Sequence, residues 1–301
     1  MAEGFKKGSF YMSIGWGVYG GFMILFNVFV ARMLSPSGYG LISVLYSMIL
    51  LTSFLLTSGL TTCLTKFVPE LEGRKEAKSV PPLLKKVLKG FTLVILVFLL
   101  ISILMQEKIV DNMLNGVKKL FFVYLTSVVI VSGVNMSQAL LQGLREFFSS
   151  SMVLCIRGLT TLSALGALTA MGKTTTSNVA TIFVLAPLTA LLVATWLLHG
   201  ERKRFLSIEE NNQPEAPAGL TSFVVYSHFV GLSSISVLFL GPIMIKTLGT
   251  GDVDSAAGLL TAGINLFRPL PMVFAGFFLA LFPSLSRAVG AKDKHLISKY
   301  I

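Results

Sequence analysis

The stretch GLISVLYSMILLTSFLLTSGLTTCLT, running from Gly40 to Thr65, contains no Lys, Arg, Asp or Glu. As a helix rising 1.5 Å per residue it reaches about 39 Å, more than the ~30 Å of a bilayer's hydrocarbon core. Its apolar residues do not alternate with polar ones, so it does not read as a strand of a membrane barrel. A membrane-spanning helix is the reading that satisfies every backbone polar group without water.

Working outward, the same pattern recurs along the chain. Spans are expected at about 10–33, 40–65, 88–106, 119–143, 149–171, 178–199, 220–246 and 255–286. The chain has 301 residues, 53% hydrophobic and only 13% charged, with a mean hydropathy of +0.78. Soluble domains carry roughly 25% charged residues, so the polar surface is too small to cover a water-soluble body. The predicted fold is an all-α integral membrane protein of about eight transmembrane helices. Lys6 and Lys7 precede the first apolar run, which is too long for the core of a cleaved signal and is read as a retained span.

The net charge of +11 does not indicate nucleic acid, because the cations lie between spans and form no face with stacking aromatics. With both termini in the cytoplasm, one side of the membrane holds Lys6, Lys7, the basic residues from Lys66 to Lys89, Arg145, Arg202 to Arg204, and those from Arg287 onward. That side has 17 of the 25 Lys and Arg and the other has 6, with Arg157 and Arg268 inside spans. Such asymmetry predicts cytoplasmic N- and C-termini. Cys63 and Cys155 lie in apolar segments with neither metal-ligand nor redox spacing. No cofactor, metal site or catalytic residue is expected.

One break in composition stands out, the acidic and Pro-bearing stretch 200–218. It divides the chain into a six-helix lobe (1–199), a linker (200–218) and the start of a second lobe (219–301) with two helices. An internal echo accompanies the break. Tyr39-Gly40-Leu41 after span one is echoed by Ala257-Gly258-Leu259 after span seven. Gly73-Arg74-Lys75-Glu76 after span two is echoed by Gly290-Ala291-Lys292-Asp293 after span eight. An offset of six spans gives repeats of the same orientation, a transporter pattern.

Candidate functional residues are the polar groups placed in hydrocarbon. Arg at a helix centre costs ~2.5–3.5 kcal/mol on insertion scales. All 14 Asp and Glu are expected in loops, Asp252 and Asp254 among them. Arg157 and Arg268 therefore have no acidic partner within a span and must use carbonyls, water or an anionic ligand; Arg157 is also close enough to a helix end to snorkel. Asn135, Gln138 and Gln142 share one face of span four, either as a polar wall for a sugar headgroup or as hydrogen bonds between helices. Asn27 in span one is a further cavity candidate, and His228 in span seven reads as a hydrogen-bonded structural residue. The run from Gly166 to Thr174 has one residue too many between its glycines for a phosphate-binding loop and follows no strand.

Three stretches carry a family resemblance: Ala31-Arg32-Met33-Leu34-Ser35-Pro36-Ser37-Gly38-Tyr39-Gly40-Leu41, Gly59 through Phe67-Val68-Pro69-Glu70-Leu71-Glu72-Gly73, and Leu281-Phe282-Pro283-Ser284-Leu285-Ser286-Arg287. They resemble the polysaccharide transporter family, the O-antigen and lipid-linked oligosaccharide flippases, of the multidrug/oligosaccharidyl-lipid/polysaccharide exporter superfamily. The resemblance implies a non-enzymatic transporter in the cell (cytoplasmic) membrane. Its substrate would be an anionic polyprenyl-diphosphate-linked oligosaccharide, moved by alternating access for polysaccharide biosynthesis. Arg157, Arg268, Asn135, Gln138, Gln142 and Asn27 would line its path, and membrane lipids would be the other partners. Members usually have twelve or more helices, so a second polypeptide supplying further helices is a partner the resemblance raises. A multidrug cation exporter and a lipid II flippase are the alternatives within the superfamily. A polyprenyl-phosphate glycosyltransferase would need placed acids near the interface, and a non-transporting scaffold is favoured only by the shortfall of helices against the family.

Overall fold

The computed structural model describes residues 2–206, 219–267 and 269–300. Among them there is no strand, and the chain runs through α1 (Ala2–Met33), α2 (Pro36–Gly73), a 3-10 turn (Ala77–Ser79), α3 (Val80–Leu104), α4 (Gln106–Met113), α5 (Lys118–Gly143), α6 (Phe147–Ala170), α7 (Thr176–Leu206), α8 (Leu220–Leu248), α9 (Val253–Phe267), α10 (Pro269–Gly290) and α11 (Lys294–Tyr300). Among the described residues, seven helices are long and apolar enough to cross a membrane, and α8 adds a further 29-residue helix. The all-α integral membrane fold expected from the sequence is the one observed.

One expectation changes in detail. The stretch 255–286 is two helices, α9 ending at Phe267 and α10 opening on Pro269. Proline tolerates the first turn of a helix, where its missing N–H has no intrahelical partner to lose. Helix α3 opens on Val80 to Lys89, where lysines mix with aliphatic residues and Val80, Leu83 and Val87 are buried.

Local chemistry sets the helix ends. Ser35 caps α2, its hydroxyl accepting the Gly38 N–H at 3.1 Å, with Pro36 in the first turn. Helices α2, α5 and α10 all stop with the same device. Each ends in Gly-x-basic-acidic: Gly73-Arg74-Lys75-Glu76, Gly143-Leu144-Arg145-Glu146 and Gly290-Ala291-Lys292-Asp293. The basic residue is left-handed in each, at φ 62°, 63° and 54°. The acidic residue's N–H then reaches back to Leu71, Leu141 or Ala288, closing a Schellman cap. These three caps share the end of the bundle where the chain begins, here called the near end; the α1–α2, α6–α7 and α8–α9 connections lie at the far end.

Helix α2 is the hub. It packs against α5 on one side and against α8, α9 and α10 on the other, while α1 lies between α6 and α10. Echoed glycines make the second of these contacts. A side chain on Gly40 would strike the Asp254 carbonyl, and one on Gly258 would meet the Gly40 backbone at 3.1 Å. At the near end, a side chain on Gly73 would strike the Arg287 carbonyl and one on Gly290 the Glu70 carbonyl. Glu70 stands to Gly73 as Arg287 stands to Gly290, so the near contact is reciprocal: each segment offers the same glycine to the same carbonyl of the other. Backbones approach this closely only where no Cβ intervenes.

Candidate functional site

Arg157 lies ten residues into α6, which places its Cα about 15 Å along the helix and well inside the membrane-spanning part. It is 9% exposed, and among the described residues no side chain hydrogen-bonds or ion-pairs with its guanidinium. Its neighbour is the Tyr19 ring of α1, whose centroid is 5.5 Å from the guanidinium carbon. An aromatic face attracts a desolvated cation by ~2 kcal/mol, which offsets part of the cost of burial and leaves the donors of the guanidinium fork available.

Those donors face a narrow cleft inside the bundle of α1, α2, α5, α6 and α7. Its walls include Tyr19, Met23, Tyr46, Ile49, Val131, Thr161, Phe183 and Pro187, and its enclosed volume is only about 10 Å³. Ligand sites for drug-sized molecules run from roughly 300 to 1,000 Å³. The cleft is far smaller, about the room of one water, and must widen before it admits a ligand group. Its lining is mostly apolar and aromatic, with one positive charge.

The other sequence candidates stand elsewhere. Asn135 of α5 donates to the Thr57 hydroxyl of α2 at 3.4 Å. Gln138 donates to the Ser150 carbonyl of α6 at 3.4 Å, and Gln142 to the Ser150 hydroxyl at 3.3 Å. Asn27 donates to the Met23 carbonyl of its own helix at 2.7 Å and accepts from the Tyr39 hydroxyl at 3.3 Å. The polar stripe of α5 therefore ties that helix to α2 and α6, and none of these four amides lines the Arg157 cleft. His228 of α8 is hydrogen-bonded to Ser58 of α2 at 2.8 Å. Arg268 lies outside the described residues.

One reading of the acids is corrected. Asp254 is no loop charge: it sits in the first turn of α9, 9% exposed, with one oxygen 2.7 Å from the Lys246 ammonium of α8. Glu70 is inside α2, 8% exposed, and pairs with Arg74 one turn on. Asn115, in the turn before α5, donates to the other Asp254 oxygen at 2.8 Å and accepts from Lys246 at 2.5 Å. Nothing in the sequence marks that cluster except the turn-forming Asn115-Gly116 pair, because the partners lie far apart along the chain.

Residues 5–289 match a protein family described as "Polysaccharide biosynthesis protein". No curated protein matches the sequence. Among solved structures, the fold is similar to that of a MATE transporter crystallised with Br-NRF (TM-score 0.71, 15% identity, covering 99% of this chain and 71% of that one). It is similar also to a mutant of the Vibrio cholerae MATE transporter VcmN (TM-score 0.72, 12% identity, 99% and 68%). A third is an outward-facing multidrug resistance MATE family transporter of the MOP superfamily (TM-score 0.70, 15% identity, 98% and 67%). At these identities the likeness is one of fold. With a family match over nearly its whole length on a MATE-like helical fold, the chain belongs to the polysaccharide biosynthesis protein family.

Proposed function

We propose that this protein moves an anionic lipid-linked oligosaccharide across the cytoplasmic membrane by alternating access, in the service of polysaccharide biosynthesis. The observation that carries the proposal is Arg157, a buried guanidinium with an aromatic neighbour, no acidic partner among the described residues, and a narrow, mostly apolar cleft before it. An uncompensated cation in hydrocarbon is costly, and a diphosphate both neutralises it and matches the geometry of its fork. The apolar walls suit the isoprenoid end of such a lipid. The same charge repels an organic cation, which weighs against drug export even though the fold is like that of MATE transporters.

In this reading the near end is cytoplasmic, since the greater part of the Lys and Arg lies there. Residues 1–199 would form the first lobe and 219–301 begin the second; of the linker 200–218, residues 200–206 continue α7 and the rest lies outside the described residues. Arg268 would supply a second cation to the path. Asn27, Asn135, Gln138 and Gln142 would meet the sugar once motion of the helices frees them from their present partners.

Titration of the purified protein in detergent with a polyprenyl diphosphate, and separately with an organic cation, tests this. Arg157→Ala is expected to weaken diphosphate-lipid binding by about ten- to a hundredfold, the loss of one charge-assisted contact of ~1.5–3 kcal/mol. Arg157→Lys, which keeps charge without the fork, is expected to fall between. Unchanged affinity in Arg157→Ala, or binding of the cation alone, would sink the reading.

A further inference from the structure

We propose that Asn115, Lys246 and Asp254 form a latch that holds the far end of the protein shut, and that releasing Asn115 is the step that lets this end open. The inference rests on the alternating-access reading above.

Three separate segments meet in the cluster. Lys246 comes from the last turn of α8, Asp254 from the first turn of α9, and Asn115 from the turn between α4 and α5. Both Asp254 oxygens are engaged, one by Lys246 and one by Asn115, and the Lys246 ammonium is shared between Asp254 and the Asn115 carbonyl oxygen. The ion pair is nearly dry, its side chains 6% and 12% exposed. A buried pair of this kind holds only while its remaining hydrogen-bonding capacity is met, and Asn115 meets it from both sides at once.

Asn115 is also presented rigidly. It is left-handed at φ 52°, and Gly116 follows at φ 76° with its N–H returned to the Val110 carbonyl. Val110 and Leu114, at 3% and 0% exposure, anchor the turn in the main core. On its other side Asp254 bears on α2, its carbonyl lying where a Gly40 side chain would stand, with Gly258 against the same backbone. Asp254 is thus clamped between α2 and the α4–α5 turn, one through its backbone and the other through its carboxylate.

The bonds divide unequally under motion. Lys246 and Asp254 both belong to α8–α9, so separating α8–α10 from the first seven helices leaves their ion pair whole. Of the polar contacts at this end, the pair of Asn115 bonds breaks, together with the Gly40–Gly258 approach and the packing of α8 and α9 on α2 there. Water entering the open end can then solvate the ion pair, which makes the release reversible. The near end is joined differently, through the reciprocal contacts of Gly73 and Gly290, so the two ends can part independently.

Distances between paired spin labels in lipid nanodiscs test this, with the full chain, no substrate, and Cys63 and Cys155 replaced by Ala. Labels at Lys173 and Thr250 span the far end, and labels at Glu76 and Lys294 span the near end. Asn115→Gly removes the amide yet suits the left-handed backbone. It is expected to raise the population of the longer far-end distance about tenfold, with the near-end distances unchanged or shorter. Far-end distances that stay as in the parent overturn the latch, as does equal loosening at both ends. If Asn115→Gly does not fold, Lys246→Asp is expected to open the far end and the exchange Lys246→Asp with Asp254→Lys to close it again. An exchange that leaves the far end as it is in the single variant overturns the latch too. Because no ligand enters the measurement, failure of the diphosphate reading shows in the titration and failure of the latch shows here.

Discussion

Arg157 and Lys246 are two cations taken out of water on opposite terms. Lys246 has a carboxylate at 2.7 Å and an amide oxygen at 2.5 Å. Arg157, buried to a similar degree, has an aromatic ring at 5.5 Å and a cleft. Buried charge is expensive in either place, so the difference lies in who supplies the countercharge. At Lys246 the chain supplies its own, and the result is a closed contact between helices. At Arg157 the countercharge is left to be brought, which is what a binding site for an anion requires. A buried cation completed from within closes a contact between helices, and one left open is, on the proposed function, where the charge of the ligand would enter.

Removing the countercharge from Lys246 is the harshest way to break this comparison. Asp254→Ala strands a buried ammonium and is expected to cost ~3–5 kcal/mol, seen as a large fall in the thermal unfolding midpoint of the purified protein. A midpoint within a degree or two of the parent would mean that Lys246 is not desolvated, and the contrast with Arg157 would collapse. Next in size, Gly40→Ala forces a methyl onto the Asp254 carbonyl. Overpacking of this kind costs ~1–3 kcal/mol, and the same unfolding measurement reads it. Wild-type stability there would show that α2 and α9 do not approach as closely as described.

The converse substitution sharpens the comparison from the other side. Arg157→Met removes a charge that no described side chain pairs and fills the same space with apolar atoms. It is expected to leave stability within ~1 kcal/mol of the parent or to raise it, while diphosphate-lipid binding falls. A strong loss of stability would move Arg157 from ligand to structural support, and Tyr19 with it.

How far these two regions were legible in the sequence follows from the same distinction. The helices announce themselves, because a run such as Gly40 to Thr65 has no other way to satisfy its backbone in hydrocarbon. Arg157 is equally visible, since one Arg in an apolar helix is a local anomaly. Lys246, Asp254 and Asn115 look like ordinary turn residues, and their pairing depends on α8, α9 and the α4–α5 turn converging in space, which no periodicity encodes. The α5 amides show a third case: their common face was plain, but whether it met a cavity or another helix depended on where α2 and α6 lay. The echo of Gly40 in Gly258 and of Gly73 in Gly290 was readable as repetition. That the repeated glycines touch one another's segments was not, because contact is a property of the assembled bundle.

The smallest expected effect lies beside the latch, in water. Asp252 precedes α9 and accepts the Ser255 N–H at 3.1 Å, the geometry of an N-terminal cap. The Ser255 side chain and backbone hydrogen bonds, with Lys246 as a lesser influence, hold its carboxyl below the ordinary aspartate value of 3.8. A carboxylate favoured in the folded state contributes stability that is fully present above the unfolded pKa. That contribution declines as pH falls through 3.8 and is gone below the lowered folded value. The group is fully exposed, so the effect is small and screened by salt. The parent is therefore expected to unfold slightly above Asp252→Ala near neutral pH, with the gap closing as the medium is acidified. A gap that stays constant to low pH would assign the difference to the backbone of the turn rather than to charge. The first turn of α9, and with it Asp254, would then be held in place by the chain's path and the latch alone.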